Sequence, residues 1–349
     1  MGIGVPTTFR KWQSEQKTTS ASRCFSLKNR YGSKFRFEGV GIRKNHHALL
    51  FVLALAGLMI GPSRSQSQEP VPAHMVVTVG AHRGNDVPGI RKEDVIVYQG
   101  RERRQVADWT PLRGERGALQ LFILLDDSSH SNVGSQFGEI RSFIESQPPT
   151  TAVGIGYMRD GTVDITQNLT TEHDLAAKAL RLPMGNLGAF ASIYLSIQDV
   201  IKRWPETPVR REIVVISDGI DYFGGTGPAN PYVDNCIEQA QKAGILIYAI
   251  YATGVGHYGH SLWRMNWGQN YLSEVAQETG GEAYFLGYET PVSFGPYLAD
   301  ISRRLEHQYM LTFLAKPGKK PGLQSVKLKT EVPKVELAAA DRVFVPAAM

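Results

Sequence analysis

The residues of this chain best suited to chemistry fall in two short acidic motifs. One reads Asp126-Asp127-Ser128-Ser129-His130-Ser131 and the other Ser217-Asp218-Gly219. Carboxylates interleaved with hydroxyls offer hard oxygen donors, the set that a divalent cation such as Mg²⁺, Mn²⁺ or Ca²⁺ takes, usually with some waters retained. Two spacings are open in the first motif, Asp126-x-Ser128-x-His130 and Asp127-x-Ser129-x-Ser131. Without a cation both motifs are ordinary punctuation, since Asp-Gly after a strand makes a turn and an aspartate caps a helix. Hydrolytic chemistry is poorly served. There is no Asp-x-Asp at the first motif, and Gly259-His260-Ser261-Leu262-Trp263 puts Trp263 where a nucleophile elbow needs glycine. No Ser-His-Asp set stands out by order and context, so the chain reads as a binding protein rather than an enzyme.

The two motifs can cooperate only if the fold brings them together, and the elements around them say that it does. Gln120–Leu125, immediately before the first motif, is a continuous apolar run, the mark of a strand buried on both faces of a parallel sheet. Glu212–Ile216, immediately before the second, also reads as a core strand. Further strands are predicted at 152–157, 163–166 (an edge strand), 245–250 and 282–285. Helices are predicted at 136–146, 172–181, 192–204, 231–243, 271–280 and 296–307. Strand and helix alternate, which predicts an α/β fold with a doubly wound, mainly parallel sheet and helices on both faces. In such a sheet ligands bind at the carboxyl ends of the strands, near the topological switch point. Asp126 follows its strand directly, which favours the spacing that starts there.

The β grammar differs at either end of the chain. Short strands at 75–79, 93–98 and 104–109 precede the α/β region, and strands at 308–313, 325–330 and 342–345 follow it. Three short strands alone are marginal in water, so segments 74–112 and 291–349 are expected to pack together as a small β domain. Tyr98, Trp109, Tyr309, Phe313 and Phe344 would supply its core. Residues 254–270, GVGHYGHSLWRMNWGQN, read as an insertion emerging at the same edge as the acidic motifs. Its His257, Tyr258, His260, Trp263 and Trp267 either form a partner-binding loop, for which aromatic residues are typical, or fold back onto the domain. His257 and His260 lack the two further ligands that zinc would need.

The order Asp-x-Ser-x-Ser after the first core strand, then Ser-Asp-Gly after a later one, resembles the metal-ion-dependent adhesion site of von Willebrand factor type A domains. Leu272-Ser273-Glu274-Val275-Ala276-Gln277-Glu278-Thr279-Gly280-Gly281 looks like the last-helix signature of that family. The likeness covers roughly residues 118–287, within a domain expected over 118–290, and the flanks resemble an acidobacterial-type subgroup with no assigned molecular function. The resemblance implies a Rossmann-like fold, a protein partner, and a cation held by Asp126, Ser128 and Asp218, with Asp127, Ser129, His130 and Ser131 as the other members of the motif. It also implies a threonine from a loop before a helix. Here that region is Gly188-Ala189-Phe190-Ala191-Ser192 and has no threonine, so either Ser192 supplies the hydroxyl or Ala191 leaves the position empty. A structural role with a decayed site is the alternative.

Composition places this unit in a cellular setting. The chain of 349 residues has a net charge of +5, but residues 1–68 hold 11 Lys/Arg against 2 Asp/Glu. That segment is +9 and the remainder is −4, so the basic balance is no argument for nucleic acid. Ala48–Gly61 is an uncharged apolar run behind Arg43-Lys44, with small residues at its exit. This is the layout of a secretory signal and short for a spanning helix, which needs about 20 residues. Secretion or a periplasmic location is expected, with a protein partner in the envelope or outside the cell. Membrane attachment follows only if the leader stays uncleaved. Cys24 would leave with the leader, and Cys236 on a predicted helix reads as a buried structural thiol. The intact mass of exported protein should match a start between Ser63 and Glu69. A mass that keeps Ala48–Gly61 would make the leader an anchor.

Overall fold

The computed structural model describes residues 69–81, 87–186, 191–256 and 260–347. The leader, Cys24, the predicted cleavage region, Gly188–Phe190, His257 and Tyr258 lie outside the described residues. Among the described residues no helix is long and apolar enough to cross a membrane.

The centre of the protein is a six-stranded sheet built from β5 (Leu119–Asp126), β6 (Thr151–Arg159), β7 (Thr162–Thr170), β8 (Arg210–Ser217), β9 (Ile245–Tyr251) and β10 (Ala283–Tyr284), in the order β10-β9-β8-β5-β6-β7. All neighbours are parallel except the edge strand β7, which returns antiparallel along β6. The period-two geometry of a strand sends alternate residues to opposite faces. Leu121, Ile123 and Leu125 of β5 therefore join one core with Val214, Ile216, Tyr248 and Ile250. Phe122 and Leu124 join the other with Ile213, Val215, Ile247 and Ala249.

Helices α1 (Phe137–Glu145), α2 (His173–Lys178) and α6 (Gly295–Glu306) cover the first face, and α3 (Ile193–Arg203), α4 (Pro231–Ala243) and α5 (Leu262–Thr279) the second. This is the doubly wound α/β architecture that the alternating pattern predicts. Local chemistry sets the helix ends. The Asn230 side chain accepts from Tyr232 N before Pro231 opens α4, and Gly244 closes it in the left-handed region. Gly280 closes α5 at φ 90°, and a Cβ on Gly281 would collide with the Ile247 carbonyl. The glycine pair thus lets the last turn dock on β9. Cys236 is fully buried on α4, and burial pushes its thiol well up from the ordinary value.

Two expected elements are corrected. The stretch 254–270 is not an insertion loop: its second half is the start of α5, which runs 18 residues from Leu262 with Ser261 as its cap. The predicted helix 172–181 holds only for His173–Lys178, leaving Arg181 on extended chain.

The chain ends supply two four-stranded sheets. One has the order β13-β1-β11-β4, from β13 (Val335–Ala339), β1 (Val71–Ala81), β11 (Gln308–Ala315) and β4 (Val106–Pro111). The other has the order β14-β12-β2-β3, from β14 (Arg342–Val345), β12 (Gly322–Thr330), β2 (Val95–Gln99) and β3 (Glu102–Arg104). Each sheet mixes strands from both ends: β1 pairs antiparallel with β11 and β13, and β2 with β12. They share a core of Val77, Val79, Val95, Val97, Leu311, Phe313, Val343 and Val345. Trp109 stacks on Tyr309 at 4.5 Å beside it. Phe344 faces out at 42% exposure and Lys329 covers the Tyr98 ring, so neither aromatic joins the core as expected.

A polar knot joins the sandwich to the amino edge of the central sheet. Gln308, the first residue of β11, bonds Arg210 and stands beside Thr78 and Tyr248. Glu212 is fully buried here. Neither of its carboxylate oxygens closes a hydrogen bond, and Arg210 Nη1 is 3.9 Å away. Burial outweighs that distant cation and pushes the carboxyl up to about 7 from 4.5. The folded state therefore holds a proton that the unfolded chain releases, so stability is full below pH 4.5 and falls as pH rises to about 7. Glu212→Gln should stabilise the protein above neutrality by on the order of 3 kcal/mol, at about 1.4 kcal/mol per pH unit. The gain should vanish near pH 4 in urea titrations, and equal stability of both proteins at pH 8 would remove the case for a buried neutral carboxyl.

Candidate functional site

Strands β5 and β8 are neighbours, with Leu125 in register with Ile216, so Asp126 and Asp218 leave the sheet at the same carboxyl edge. The first strand β5 is followed by β6 on one side and β8 on the other, which makes the β5–β8 boundary the switch point of the sheet.

Asp126 is buried and held from several sides. Its Oδ1 accepts from Ser128 N at 2.9 Å and Ser128 Oγ at 2.6 Å, and its Oδ2 from Ser217 Oγ at 2.7 Å. Asp218 is buried with its Oδ1 accepting from Ile220 N at 2.9 Å, while its Oδ2 packs against the Gly254 backbone without a well-aligned hydrogen bond. Burial raises both carboxyls above their ordinary range, with the charge of each neighbouring aspartate adding to the effect. A cation placed between them would act in the opposite sense.

Asp126, Ser128 and Ser192 line one cavity of about 20 Å³, together with Asp160, Asn186 and Tyr222. Ser192 caps α3, its Oγ accepting from Leu195 N at 3.4 Å. The neighbouring Ala191 lines the same cavity and offers no hydroxyl. Asp127 turns away: Arg181 grips it at 2.7 and 3.2 Å, Met184 N donates to it, and the Arg181 guanidinium lies 3.7 Å over the Tyr157 ring. Ser129 is buried with its Oγ unpartnered and bridges to Gly254. His130 and Ser131 are exposed, and the His130 ring caps the following 3₁₀ turn. The fold thus gathers Asp126, Ser128 and Ser192 about one space, leaves Asp218 at the next strand end outside its lining, and sends Asp127, His130 and Ser131 elsewhere.

The donor set fits a hard cation. Among the described residues no three His, Cys, Asp or Glu side chains converge. A cation here would rely on two carboxylates, hydroxyls and water, the combination Mg²⁺ accepts.

Sequence reasoning missed Arg181, which decides where Asp127 points, and Ser217, which holds Asp126. It also missed the aromatic stack beside the site. Trp263, 61% exposed, meets Trp267 at 5.7 Å, Trp267 meets Tyr271 at 5.6 Å, and Tyr271 meets Tyr194 at 5.9 Å. Tyr194 Oη then donates to Gly219 O at 2.9 Å. The i, i+4, i+8 spacing of Trp263, Trp267 and Tyr271 on one helix face carried that signal, once the segment is read as helix. His260 bonds Tyr222 at 2.7 Å on the same edge.

No family model and no curated protein matches the chain. Similar solved structures are von Willebrand factor A-type proteins and others. An aerotolerance-related membrane protein from Bacteroides fragilis is 16% identical, with a TM-score of 0.41 over 54% of this chain and 98% of its own. The SpRpn10 VWA domain is 14% identical, with a TM-score of 0.36 over 53% and 95%. Three N-terminal domains of the type V pili tip protein Mfa5 from Porphyromonas gingivalis are 9% identical, with a TM-score of 0.39 over 82% and 68%.

The Asp218 turn is pressed against α5. A Cβ on Gly268 would collide with the Asp218 carbonyl and lie 3.0 Å from Ile220 Cγ1. Gly268→Ala should therefore destabilise the protein by about 1–3 kcal/mol through overpacking, despite the better helix propensity of alanine. A chemical denaturation midpoint at or above wild type would show that this contact is loose.

Proposed function

We propose that this chain is an exported von Willebrand factor A-type module that binds a protein partner through a divalent cation at the carboxyl edge of its sheet. The observation that carries the reading is the meeting of Asp126, Ser128 and Ser192 around one small cavity; Asp218, at the end of the neighbouring strand, is buried but does not line it. Its volume of about 20 Å³ exceeds the ~10–15 Å³ that one water requires. Asp126, Ser128, Ser192 and Asp218 would hold the ion. A bound cation supplies a point of positive charge for an oxygen ligand of the partner and relieves the repulsion of two buried carboxylates.

Around that point the surface suits a protein. Leu262 and Trp263 at the start of α5 and Phe223 after the Asp218 turn are exposed apolar side chains, the residue types that anchor interfaces. The net charge of −4 over residues 69–349 gives no reason to expect nucleic acid. Membrane association enters this reading only through an uncleaved leader.

The second reading, a structural envelope component with a decayed site, is favoured by two observations. Both oxygens of Asp126 already accept from protein donors, and Ser192 spends its hydroxyl on a helix cap. Among the described residues the His74–Thr312 contact pairs a histidine with a hydroxyl, but it is exposed on the β sandwich away from both acidic motifs and gives a hydrolase little support.

Capture from an envelope fraction on immobilised protein separates these readings. With Mg²⁺ a partner should be retained, and EDTA or Asp126→Asn should lower its yield at least tenfold. Retention indifferent to Mg²⁺ and to the substitution would favour the structural reading, and turnover of simple esters or phosphate esters would reopen the enzymatic one.

A further inference from the structure

The β sandwich carries a second concave site, remote in sequence from both acidic motifs. The turn between β2 and β3 and the loop between β11 and β12 enclose an open cleft of about 380 Å³, lined by Arg101, Glu102, Arg104, Lys316, Gln99 and Gln324 among others. That volume falls in the range of small-ligand sites, roughly 300–1,000 Å³. Its floor is fixed. Gln99 is buried, its Nε2 donates to Lys316 O at 2.8 Å, its Oε1 accepts from Lys316 N at 2.8 Å, and it also bonds Gln324. One amide thus clamps the loop to the sheet.

Charge is concentrated here against the trend of the molecule. The lining itself holds three cations, Arg101, Arg104 and Lys316, against one acid, Glu102, a local +2, while residues 69–349 total −4. Glu102, 60% exposed, is shared between Arg104 and Lys316. Among the described residues Arg101, Lys319 and Lys320 make no hydrogen bond or ion pair, and the Arg104 Nε–H is buried without an acceptor. An unpaired buried donor is costly unless a ligand completes it.

We propose that this cleft is a binding site for phosphate-ester anions, with Arg101, Arg104 and Lys316 as its contacts and Lys319 and Lys320 in the adjoining β11–β12 loop. Guanidinium forks match the oxygens of phosphate. A phosphate ester carries about −1.5 to −2 charges at neutral pH, which suits a cleft whose cations outnumber its one carboxylate. The same chemistry occurs in an anionic lipid headgroup and in a soluble phosphate ester. The site is independent of the cation site at the carboxyl edge.

Calorimetric titration of the full chain with pyrophosphate, in low salt and EDTA, tests it. Wild type should bind, Arg101→Ser with Lys316→Ser should weaken binding at least tenfold, and Lys319→Ser with Lys320→Ser about threefold. Thermal melts check that each variant folds. Asp218→Asn should leave the affinity unchanged, which separates this site from the proposed cation site. Phosphatidylglycerol vesicles that displace pyrophosphate from wild type, where phosphatidylcholine vesicles do not, would identify a headgroup ligand, and no displacement a soluble ester. The basic leader is present in every protein, so the readout is the difference between wild type and variants. No binding, equal binding by folded variants, or equally tight binding of triglutamate would overturn the assignment.

Discussion

The burial of β5 and β8 on both faces is the constraint from which the rest of the architecture follows. Neither strand has a polar side to show to water, so helices must cover the sheet above and below. Right-handed crossovers then send the chain away from β5 in both directions. The two strands end side by side, and the carboxylates after them are drawn into a region with little solvent. An aspartate in that position is costly as a charge unless donors or a cation meet it. Asp126 has met its donors, from Ser128 and Ser217, while Asp218 retains one oxygen without a well-aligned hydrogen bond. The asymmetry between the two carboxylates is the chemical character of this edge.

The central fold was legible because its signals are long and periodic. Leu121–Leu125 and Ile213–Ile216 are unbroken apolar runs, and Pro231–Ala243 has a cap before it and a glycine after it. The failures lie where local composition and tertiary setting part. The start of α5 holds Trp, Asn and Gly in a run that resembles a binding loop, but Gly268 is there because the helix must approach the Asp218 turn. Val335–Ala339 has little strand character of its own and pairs because β1 presents an open edge. At β14 the choice between Phe344 and its neighbours is a matter of one residue in register, which shape complementarity in the core decides and side-chain size alone does not.

At the candidate site the sequence revealed which residues sit at the strand ends but not which way they point. Asp126 and Asp127 are equivalent as letters. They differ in space because Arg181, 54 residues further on, reaches back to the second and not the first. Neither spacing nor composition announces that pairing. The same holds for Glu212, an unremarkable letter at the head of an apolar strand that proves to be sealed between two layers of the structure.

The interleaving of the two chain ends in the sandwich has a consequence for how the protein is made. Strand β1 precedes the α/β region, yet both of its neighbours, β11 and β13, follow that region, with Thr78 opposite a residue 230 positions later. Closing so long a loop is slow relative to forming local contacts, and until β11 and β13 are made β1 has two bare edges. Chains halted after the α/β region would hold a nearly finished centre and an unmatched strand. A copy that lacks β11 and β13 exposes a sticky edge on β1, open to proteolysis or aggregation.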